Sequence, residues 1–573
     1  MLYVKDLERI KSIDARKVAF VLRDACRSAA SGDFAVFAAA YVLMRANEDY
    51  RISVDSIDLY FKTAEEPEKR ALFIRQSLEY CWESIRGLKY SFSADEFKAV
   101  LLYYNGDTSQ GWNTATPDGV CQLAAKLISQ RSGDTILDIG TGFGSFIREC
   151  YSEKPEASFI GVEINTESAV VAEIRAELIG GNTSILQRNI FDDLPKADVT
   201  AVFANYPFGL KSRGLGSLGE GYAKDLAERD SDFSKLSSMD WVFNYRAYEC
   251  VNGPGRVICI MTSGSTWNTI DRRARRHFIE GGSVEMVIAL PPRIFESIGI
   301  ATTMIVFSHG NERTMMVDAT EMCEKGRRMN AITPEFVEKI IAACNKESEI
   351  SRLVSIDDMA EADFTLSPAA YLEENETVSE DGVELGSFVS ITRGAQLQAN
   401  ALDDMASRTA TDTQYLMLSN IQNGLIDDEL PYLDDVDPRW NRYLLKDGDL
   451  IMSKNGMPLK LAVAEIKGKQ RIIANGNLYI ISVDKNRANP YYLKAYFESE
   501  KGTNSLKRIT VGSTIPSIGV EQLKKLMIPL PPLQEQESIA NEYIACVEEL
   551  RLLRRKTTKV IDRMSHIFDS KEG

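Results

Sequence analysis

The chain has 573 residues, a formal net charge of −16 at pH 7 and 44% hydrophobic residues. A sequence of this size can bury several hydrophobic cores, and we expect about three or four domains. Its nine cysteines form no Cys-x-x-Cys pair, so neither a zinc site nor a disulfide framework is indicated. No apolar run approaches the length of a membrane helix and no secretory signal opens the chain. We therefore expect a cytoplasmic protein that uses neither a metal nor a membrane.

Residues 1–110 are predicted to form a helical domain. Apolar residues recur at helical spacing through Ile13–Ala29, Ala35–Arg45 and Ala71–Arg86. This part of the sequence contains no motif that carries chemistry, and no nuclease set of suitable spacing is evident in it. The residues that carry chemistry are therefore expected further along the chain.

A short apolar run followed by glycines predicts a strand, a tight loop and a helix. The run Thr135–Ile139 contains Asp138, and Gly140, Gly142 and Gly144 follow it. Glycines between a strand and a helix let the backbone approach a ligand closely. The third glycine comes one residue earlier than in a dinucleotide fingerprint. The carboxylate of Asp138 also suits a cation better than a pyrophosphate.

A second predicted strand, Ala157–Val162, is followed by Glu163. An acidic residue at this place can bind both hydroxyls of a ribose. A ligand with a ribose and a positive centre but no phosphate describes S-adenosylmethionine, which is the cofactor that we expect. The alternative is the glycine-rich turn of some other α/β enzyme.

The run Phe203-Ala-Asn-Tyr-Pro-Phe-Gly209 follows a predicted strand end. The Asn205 side-chain oxygen and a neighbouring main-chain carbonyl can accept the two hydrogens of a planar amino group, and Phe208 can stack on its ring. This arrangement suits an adenine that has been flipped out of a duplex. Alone it also fits a chance turn. Residues 210–238 are predicted to form a long loop, either a disordered insertion or a lid.

Taken together, these motifs resemble the modification subunit of type I restriction-modification systems, an N6-adenine DNA methyltransferase. The resemblance covers roughly residues 1–345, and it implies a Rossmann-like methyltransferase domain over 111–345 after the helical domain. It further implies roles for individual residues. Cofactor binding falls to Thr116, Asp138, Gly140, Gly142, Glu163 and Asp192, the last at the cofactor adenine, and catalysis to Asn205, Tyr206, Pro207 and Phe208.

One residue departs from the family pattern. The family usually has Pro where Tyr206 stands, so the main-chain carbonyl survives but the fixed φ of proline does not. The chemistry itself needs placement more than a tuned base, because the methyl sulfonium is already activated and two acceptors suffice to align the adenine nitrogen. None of the three histidines lies beside these motifs.

The C-terminal part changes to short β-rich segments and turns. After a predicted linker, 346–380, residues 381–536 resemble one target recognition domain of a type I specificity subunit, and we expect an α/β fold there. Between Lys454 and Lys525 there are 13 Lys and Arg against 5 Asp and Glu. A basic stripe is typical of a duplex-binding face, although a solvated surface would look alike. We expect Lys454, Lys507 and Arg508 to contact double-stranded DNA.

Residues 537–573 are predicted to form a long coiled-coil helix. Apolar positions from Ile539 to Ile567 alternate spacings of four and three. At about 1.5 Å per residue this seam is roughly 43 Å long. A second copy of the chain, a separate specificity subunit or the chain's own methyltransferase domain could each cover it, and a homodimer through 539–567 is the first hypothesis.

The sequence thus predicts a site-specific DNA adenine-N6 methyltransferase of a restriction-modification or related host-modification system. A separate restriction or specificity subunit is a possible partner. One alternative is a sequence-specific DNA-binding protein with an inactive methyltransferase fold, which Tyr206 makes conceivable. Another is methylation of RNA or of a protein glutamine, since similar motifs serve those substrates.

Overall fold

The computed structural model describes residues 4–29, 32–106, 115–129, 135–194, 199–251, 253–295, 301–372, 382–397, 402, 405–434, 436–456, 458–511 and 517–565. The chain forms two compact units, residues 1–372 and 373–573. Each unit has its own sheets and its own hydrophobic clusters. Within the described residues, no helix combines the length and the apolar character needed to cross a bilayer.

A nine-stranded sheet organises the first unit. Its strands are β1 (Thr135–Ile139), β2 (Ser158–Glu163), β3 (Asn182–Gln187), β4 (Ala201–Asn205), β5 (Arg256–Thr262), β6 (Val284–Ala289), β7 (Thr302–Phe307), β8 (Arg313–Asp318) and β9 (Ser351–Ser355). The spatial order is β3-β2-β1-β4-β5-β7-β6-β8-β9. Strand β7 runs antiparallel to both β5 and β6. The order reverses between β1 and β4, and the crevice beyond the carboxyl ends of strands at such a point is where ligands bind in open α/β sheets.

Helices cover both faces of this sheet, as its buried strands require. On one face Phe203 of β4 stacks on Phe146, with ring centroids 4.2 Å apart, and on the other Val202 packs in a cluster with Trp241 and Phe278. The helices of the first unit that precede β4 are Val4–Lys11, Ala15–Ala25, Asp33–Glu48, Ile57–Thr63, Glu68–Leu78, Trp82–Arg86, Ala94–Tyr103, Asp118–Ser129, Ser145–Glu153 and Thr166–Ile179. Those that follow β4 are Gly216–Arg229, Asp240–Tyr248, Arg272–Glu280, Pro334–Asn345, Ile356–Glu361 and Ala369–Leu372.

The N-terminal helices have a separate hydrophobic cluster that also contains Val170 and Ile174 of the helix between β2 and β3. Arg175 of that same helix is fully buried and donates to the carbonyls of Leu101 (2.8 Å) and Tyr104 (2.9 Å). The N-terminal helices are therefore tied to the sheet through a buried guanidinium as well as by apolar packing. The predicted boundary at residue 110 lies outside the described residues and stays a prediction.

Two segments differ from the sequence-based expectation. Residues 216–229, expected within a loop, form a helix because Leu226 is buried and Phe233, shortly after the helix, is buried in the same cluster. This tertiary packing outweighs the low helix propensity of the glycines. Residues 346–372, expected to be a linker, contain β9, which pairs antiparallel with β8 and extends the sheet.

The second unit contains two four-stranded sheets. The first, antiparallel, has the order Val389–Arg393, Leu478–Val483, Leu450–Ser453, Leu461–Val463. The second has the order Ala406–Ser407, Tyr432–Leu433, Thr413–Leu416, Arg471–Ala474. Two-stranded pairs join Gly382–Glu384 to Met527–Pro529, Ile421–Gln422 to Leu425–Ile426, and Thr510–Val511 to Ser517–Ile518. The helices are Pro490–Glu498, Glu500–Arg508, Val520–Lys524 and Leu533–Ser565.

The C-terminal helix, Leu533–Ser565, packs along its own unit with one face. Val547 is buried, Tyr543 donates to Glu498, and Arg551 pairs with Glu465 at 2.5 Å. Most residues of the predicted seam lie on a neighbouring, exposed face. Ile539, Leu550, Leu553, Val560 and Met564 are all exposed, while Ile567 lies outside the described residues.

Candidate active site

A cavity of about 360 Å³ opens at the carboxyl ends of β1, β2 and β4. It lies at the switch point of the sheet, where the topology predicts a ligand site. Six of the residues that the sequence singled out line it: Gly140, Gly142, Glu163, Asn205, Tyr206 and Pro207. The structure therefore brings the glycine-rich loop, the acidic residue after the second strand and the Asn205 motif together.

The loop after β1 is shaped by a glycine that no other residue could replace without strain. Gly140 has φ +71°, and a Cβ there would lie 3.0 Å from the carbonyl oxygen of Asn205. Left-handed backbone of this kind favours glycine. The loop consequently approaches the end of β4 closely enough to form one wall of the cavity with it.

The Glu163 carboxylate is oriented by main-chain donors. Its Oε2 accepts the N–H of Gly142 at 2.9 Å, and its Oε1 accepts the N–H of Asn165 at 2.8 Å. Each carboxylate oxygen has two lone pairs, so both oxygens retain one acceptor position. A fixed carboxylate with two free acceptor positions suits a pair of vicinal hydroxyls.

Asp138 is a buried acid beneath the same loop. Its Oδ2 accepts a hydrogen bond from the Thr141 hydroxyl at 2.5 Å. Burial raises the pKa of Asp138 to about 7, the Thr141 hydrogen bond opposes that shift, and the negative charge of Glu163 adds to it. A cation in the cavity would favour the ionised form of Asp138.

The nitrogen of the Asn205 amide is hydrogen-bonded, and its oxygen is not. Its Nδ2 donates to Oγ1 of Thr116 at 2.7 Å. Its Oδ1 is buried and accepts no hydrogen bond from any residue that the structure describes. A buried acceptor without a donor is unfavourable in a native protein and calls for an explanation. The ring of Phe208 packs edge-on against Phe295, with centroids 5.1 Å apart, and Pro207 is exposed.

Tyr206 faces the protein interior. Its ring stacks on Phe243, with centroids 4.6 Å apart and planes 11° from parallel. Its hydroxyl donates to the carbonyl of Asp240 at 3.1 Å and contacts Oδ1 of Asn244. The side chain therefore anchors the loop, and Tyr206 offers the cavity its main chain.

One functional candidate has no counterpart among the residues predicted from sequence. Asp240 is fully buried, and its carboxylate accepts the N–H of Gly209 (3.0 Å) and both the N–H (3.1 Å) and the hydroxyl (2.6 Å) of Thr262. Burial raises the pKa of Asp240, and these hydrogen bonds oppose the shift. Asp240 thus joins the loop after β4 to the end of β5. Its one local signal is an acidic residue at the start of an apolar helix, which is common.

Comparisons with known proteins agree with this geometry. Residues 95–381 match the family model described as N-6 DNA Methylase. The chain belongs to that family. Residues 383–545 match the Type I restriction modification DNA specificity domain, so this methylase carries a specificity domain in the same polypeptide.

Individual relatives cover parts of the chain. The Mycoplasma pneumoniae type I restriction enzyme MpnII methylase subunit is 20% identical over 303 residues, which is 48% of this chain and 55% of that protein. A Methanocaldococcus jannaschii protein that bears the name type I restriction enzyme MjaX specificity subunit is 35% identical over 116 residues, 20% of this chain and 27% of that protein. The chain therefore spans about half, and about a quarter, of the lengths of these curated relatives. A crystal structure of the type I methyltransferase subunit from Streptococcus thermophilus has TM-score 0.46 and 19% identity, covering 58% of this chain and 79% of that one.

The remaining predicted residues of the methylase lie elsewhere. The carboxylate of Asp192 accepts the N–H of Asn189 at 3.0 Å, and the cavity wall at this place is formed by Asn189, Ile190 and Phe191. Contact of Asp192 with the cofactor adenine stays a prediction.

In the second unit Lys454 is half-buried and Lys507 exposed, while the side chain of Arg508 lies outside the described residues.

Proposed function

We propose that this methylase transfers a methyl group from S-adenosylmethionine to N6 of an adenine that has been flipped out of double-stranded DNA. The observation that carries the proposal is the unpartnered, buried Oδ1 of Asn205 at the carboxyl end of β4. An exocyclic amino group is a donor that would satisfy this acceptor, and a base must leave the stack before its amino group can reach a buried atom.

The residues around the cavity fit S-adenosylmethionine. Gly140 keeps the loop close to β4, and Glu163 supplies acceptors for the ribose hydroxyls. Asp138 is buried beneath the loop and does not line the cavity, so it would supply a nearby negative charge for a cationic group. Bound there, the cofactor would supply an activated methyl group. No phosphate-binding helix terminus is needed, in keeping with a loop that departs from the dinucleotide pattern.

The protein's own contribution is placement. With Nδ2 held by Thr116, the Asn205 amide presents Oδ1 in one orientation. The main-chain carbonyl of Tyr206 offers a second acceptor in the same loop, and Tyr206 and Asp240 hold that loop against the core. Two fixed acceptors on one amino group align its lone pair and stabilise the charge that develops there without reorganisation.

We further propose that the specificity domain selects the DNA site, that Lys454 contacts the DNA, and that Lys507 and Arg508 contact its phosphates. The family membership supports a restriction or host-modification role in the cytoplasm, with a separate restriction or specificity subunit as a partner. Homodimerisation through 539–567 is supported by the exposed apolar face of the C-terminal helix. The division into domains after residues 110, 380 and 536 is likewise a proposal, with β9 and the rest of residues 346–372 assigned to the methylase and not to a linker.

The test is to map methylated adenines in DNA from cells that express this chain alone. We expect one methylated sequence for the wild type and none for Asn205→Ala, with cofactor and DNA affinities nearly unchanged, because the amide acts mainly in the transition state. Asn182→Ala, at the exposed start of β3, is the matched control and should methylate normally.

Calorimetry separates cofactor binding from catalysis. Glu163→Ala removes hydrogen bonds to a charged acceptor, each on the order of 1.5–3 kcal/mol, and should weaken S-adenosylmethionine accordingly. If wild type and Asn205→Ala are equally inactive on DNA of every short sequence while DNA still binds, the chain is a DNA-binding protein with an inactive fold. Methyl incorporation into RNA or protein glutamine, and not into DNA, would support the other alternative.

A further inference from the structure

One edge of the specificity domain gathers cations and amides at the ends of three strands. In the antiparallel sheet, Val389–Arg393 and Leu450–Ser453 both flank Leu478–Val483, and Arg393 lies opposite the beginning of that central strand. Lys454 follows directly after the other flanking strand. The strand ends therefore bring two basic residues, 61 positions apart in sequence, to the same edge.

The main-chain segments at this edge pack closely against one another. A Cβ at Gly394 would lie 2.2 Å from the carbonyl oxygen of Asn475, so no other residue fits there. The N–H of Gly394 donates to Leu478 at 2.9 Å, and the N–H of Lys454 donates to Asn477 at 2.8 Å. Side chains that project from this edge are consequently carried by a rigid frame, as a recognition surface requires.

The two cations have no counter-charge in the described part of the chain. Arg393 donates from Nε to the carbonyl of Gly476 at 2.8 Å, and the Gln396 amide, turned with its oxygen toward the guanidinium, lies 2.6 Å from both terminal nitrogens. Neither Arg393 nor Lys454 forms an ion pair with a described carboxylate, and the segments 393–397 and 453–456 contain no acidic residue. Burial lowers the pKa of Lys454, and the positive charge of Arg393 lowers it further.

Like charges placed together and left unneutralised are unfavourable unless a ligand completes the site. The chain has a net charge of −16 and is rich in acidic residues, yet no acidic residue among those that the structure describes pairs with Arg393 or Lys454. Gln396, which contacts Arg393, and Asn477, whose carbonyl accepts the N–H of Lys454, are both exposed residues with amide side chains. Arginine, lysine, asparagine and glutamine are among the residues that read base edges in the major groove.

We propose that Arg393 and Lys454 form the base-reading edge of the specificity domain, with their donors directed at the O6 and N7 acceptors of guanine and with Gln396 fixing the Arg393 guanidinium. This inference rests on the proposed function, since it requires that the chain binds DNA. The residues of this edge then contact the bases, and more exposed basic residues of the domain contact the phosphates. The requirement for guanine follows because it is the base that offers two adjacent acceptors in the major groove.

The experiment is selection of bound sequences from a randomised duplex pool by the full-length chain, followed by anisotropy titrations on the selected site. For Arg393→Ala and Lys454→Ala we expect a consensus that loses its preference at one guanine position each. Affinity for the best site should fall roughly 5- to 150-fold, the usual worth of one good bidentate base contact. Affinity for unselected DNA and the salt dependence should stay near the wild-type values. Lys524→Ala, which removes an exposed lysine paired with Glu521 at 2.9 Å in the same domain, is the matched control.

Two outcomes overturn the inference. An equal loss of affinity for all sequences, with a salt slope reduced by about 0.9 per residue, would make these cations phosphate contacts. An unchanged consensus with unchanged affinity would remove the edge from the DNA-binding surface. Both are distinct from failure of the proposed function, in which the wild type itself selects no sequence and methylates no adenine. Circular dichroism melts of each variant establish that the domain is folded, and Arg393→Lys provides a second variant that keeps the charge but loses the planar fork.

Discussion

The amide of Asn205 donates from Nδ2 to Oγ1 of Thr116 over 2.7 Å, linking two residues 89 positions apart. Because the only amide nitrogen is engaged, the amide oxygen is fixed toward the side where none of the described residues donates a hydrogen bond to it. The link therefore decides which atom of Asn205 a substrate meets. It also gives Thr116 a second role beside the cofactor contact that the family resemblance implies.

Replacing Thr116 by Val should lower the methylation rate more than cofactor affinity. The variant leaves the buried Nδ2 without an acceptor, at about 1–3 kcal/mol, and frees the amide to turn. We expect kcat to fall and the dissociation constant of S-adenosylmethionine to change little. Thr116→Ser keeps the hydroxyl and should stay close to wild type. If Thr116→Val instead weakens the cofactor and leaves kcat unchanged, Thr116 acts on the cofactor alone.

Cofactor affinity should rise with pH through the titration of Asp138. A cation bound near this carboxylate favours its ionised form, and the pKa of Asp138 in the free protein is about 7. Below that pH the group must lose a proton on binding, so affinity should fall by up to about tenfold per pH unit. Calorimetry in buffers of different ionisation enthalpy would detect the released proton. Asp138→Asn should bind weakly at every pH and release none.

The titration of Asp138 should also make the stability of the protein depend on pH. Its pKa in the folded protein is raised from 3.8 to about 7, so the folded state keeps a proton that the unfolded state releases. The stability that Asp138 contributes is fully present below pH 3.8 and is lost as pH rises through about 7. Asp138→Asn should therefore flatten the pH dependence of the unfolding midpoint in the absence of cofactor. An unaltered profile would show that another group controls it.

Restoring proline at position 206 should harm the protein. Tyr206→Pro removes a buried ring that stacks on Phe243, and loss of a buried aromatic side chain costs about 3–5 kcal/mol. Tyr206→Phe keeps the ring and loses only the hydroxyl's hydrogen bonds, at about 1 kcal/mol, and should still methylate DNA. Denaturant unfolding and methylation rates measure both. A proline variant that is faster and equally stable would contradict the anchoring role of this ring.

Glutamate at both Leu550 and Leu553 should dissociate a dimer without unfolding the chain. These side chains are 36% and 51% exposed, whereas Val547, on the neighbouring face that packs against the unit, is 8% exposed. A charge in a buried apolar seam is strongly unfavourable, so sedimentation should show the double variant as a monomer with an unchanged melting profile. Val547→Glu should destabilise the second unit instead. A wild-type chain that is monomeric on DNA, with a short asymmetric methylated site, would rule the dimer out.

Local patterns predicted the parts of the site that lie within one segment of chain. The apolar run Thr135–Ile139 forms β1 with the predicted bounds, and Glu163 and Asn205 end their strands as expected. In each case a strand end and a polar residue are adjacent in sequence, so the signal is local. Parallel strands then bring their carboxyl ends to one edge of the sheet.

Features that depend on distant partners could not be predicted in this way. The carboxylate of Asp240 contacts residues 31 and 22 positions away, and nothing in its own neighbourhood indicates that. The helix Gly216–Arg229 was not predicted because its glycines have low helix propensity, and tertiary packing stabilises it. The inward orientation of Tyr206 likewise depends on Phe243, which belongs to a later helix.

The unpartnered oxygen of Asn205 is an atom that lowers the stability of the free protein and is needed for its activity. Holding a desolvated acceptor without a donor costs the unliganded fold about 1–3 kcal/mol, and that deficit is relieved only when a donor enters. Substitutions by apolar residues of similar size at 205 should therefore abolish methylation and leave the protein as stable as the wild type or more so. In a mutational scan, variants at position 205 would lose activity but keep their stability. Variants of the hydrophobic core around it would lose both activity and stability.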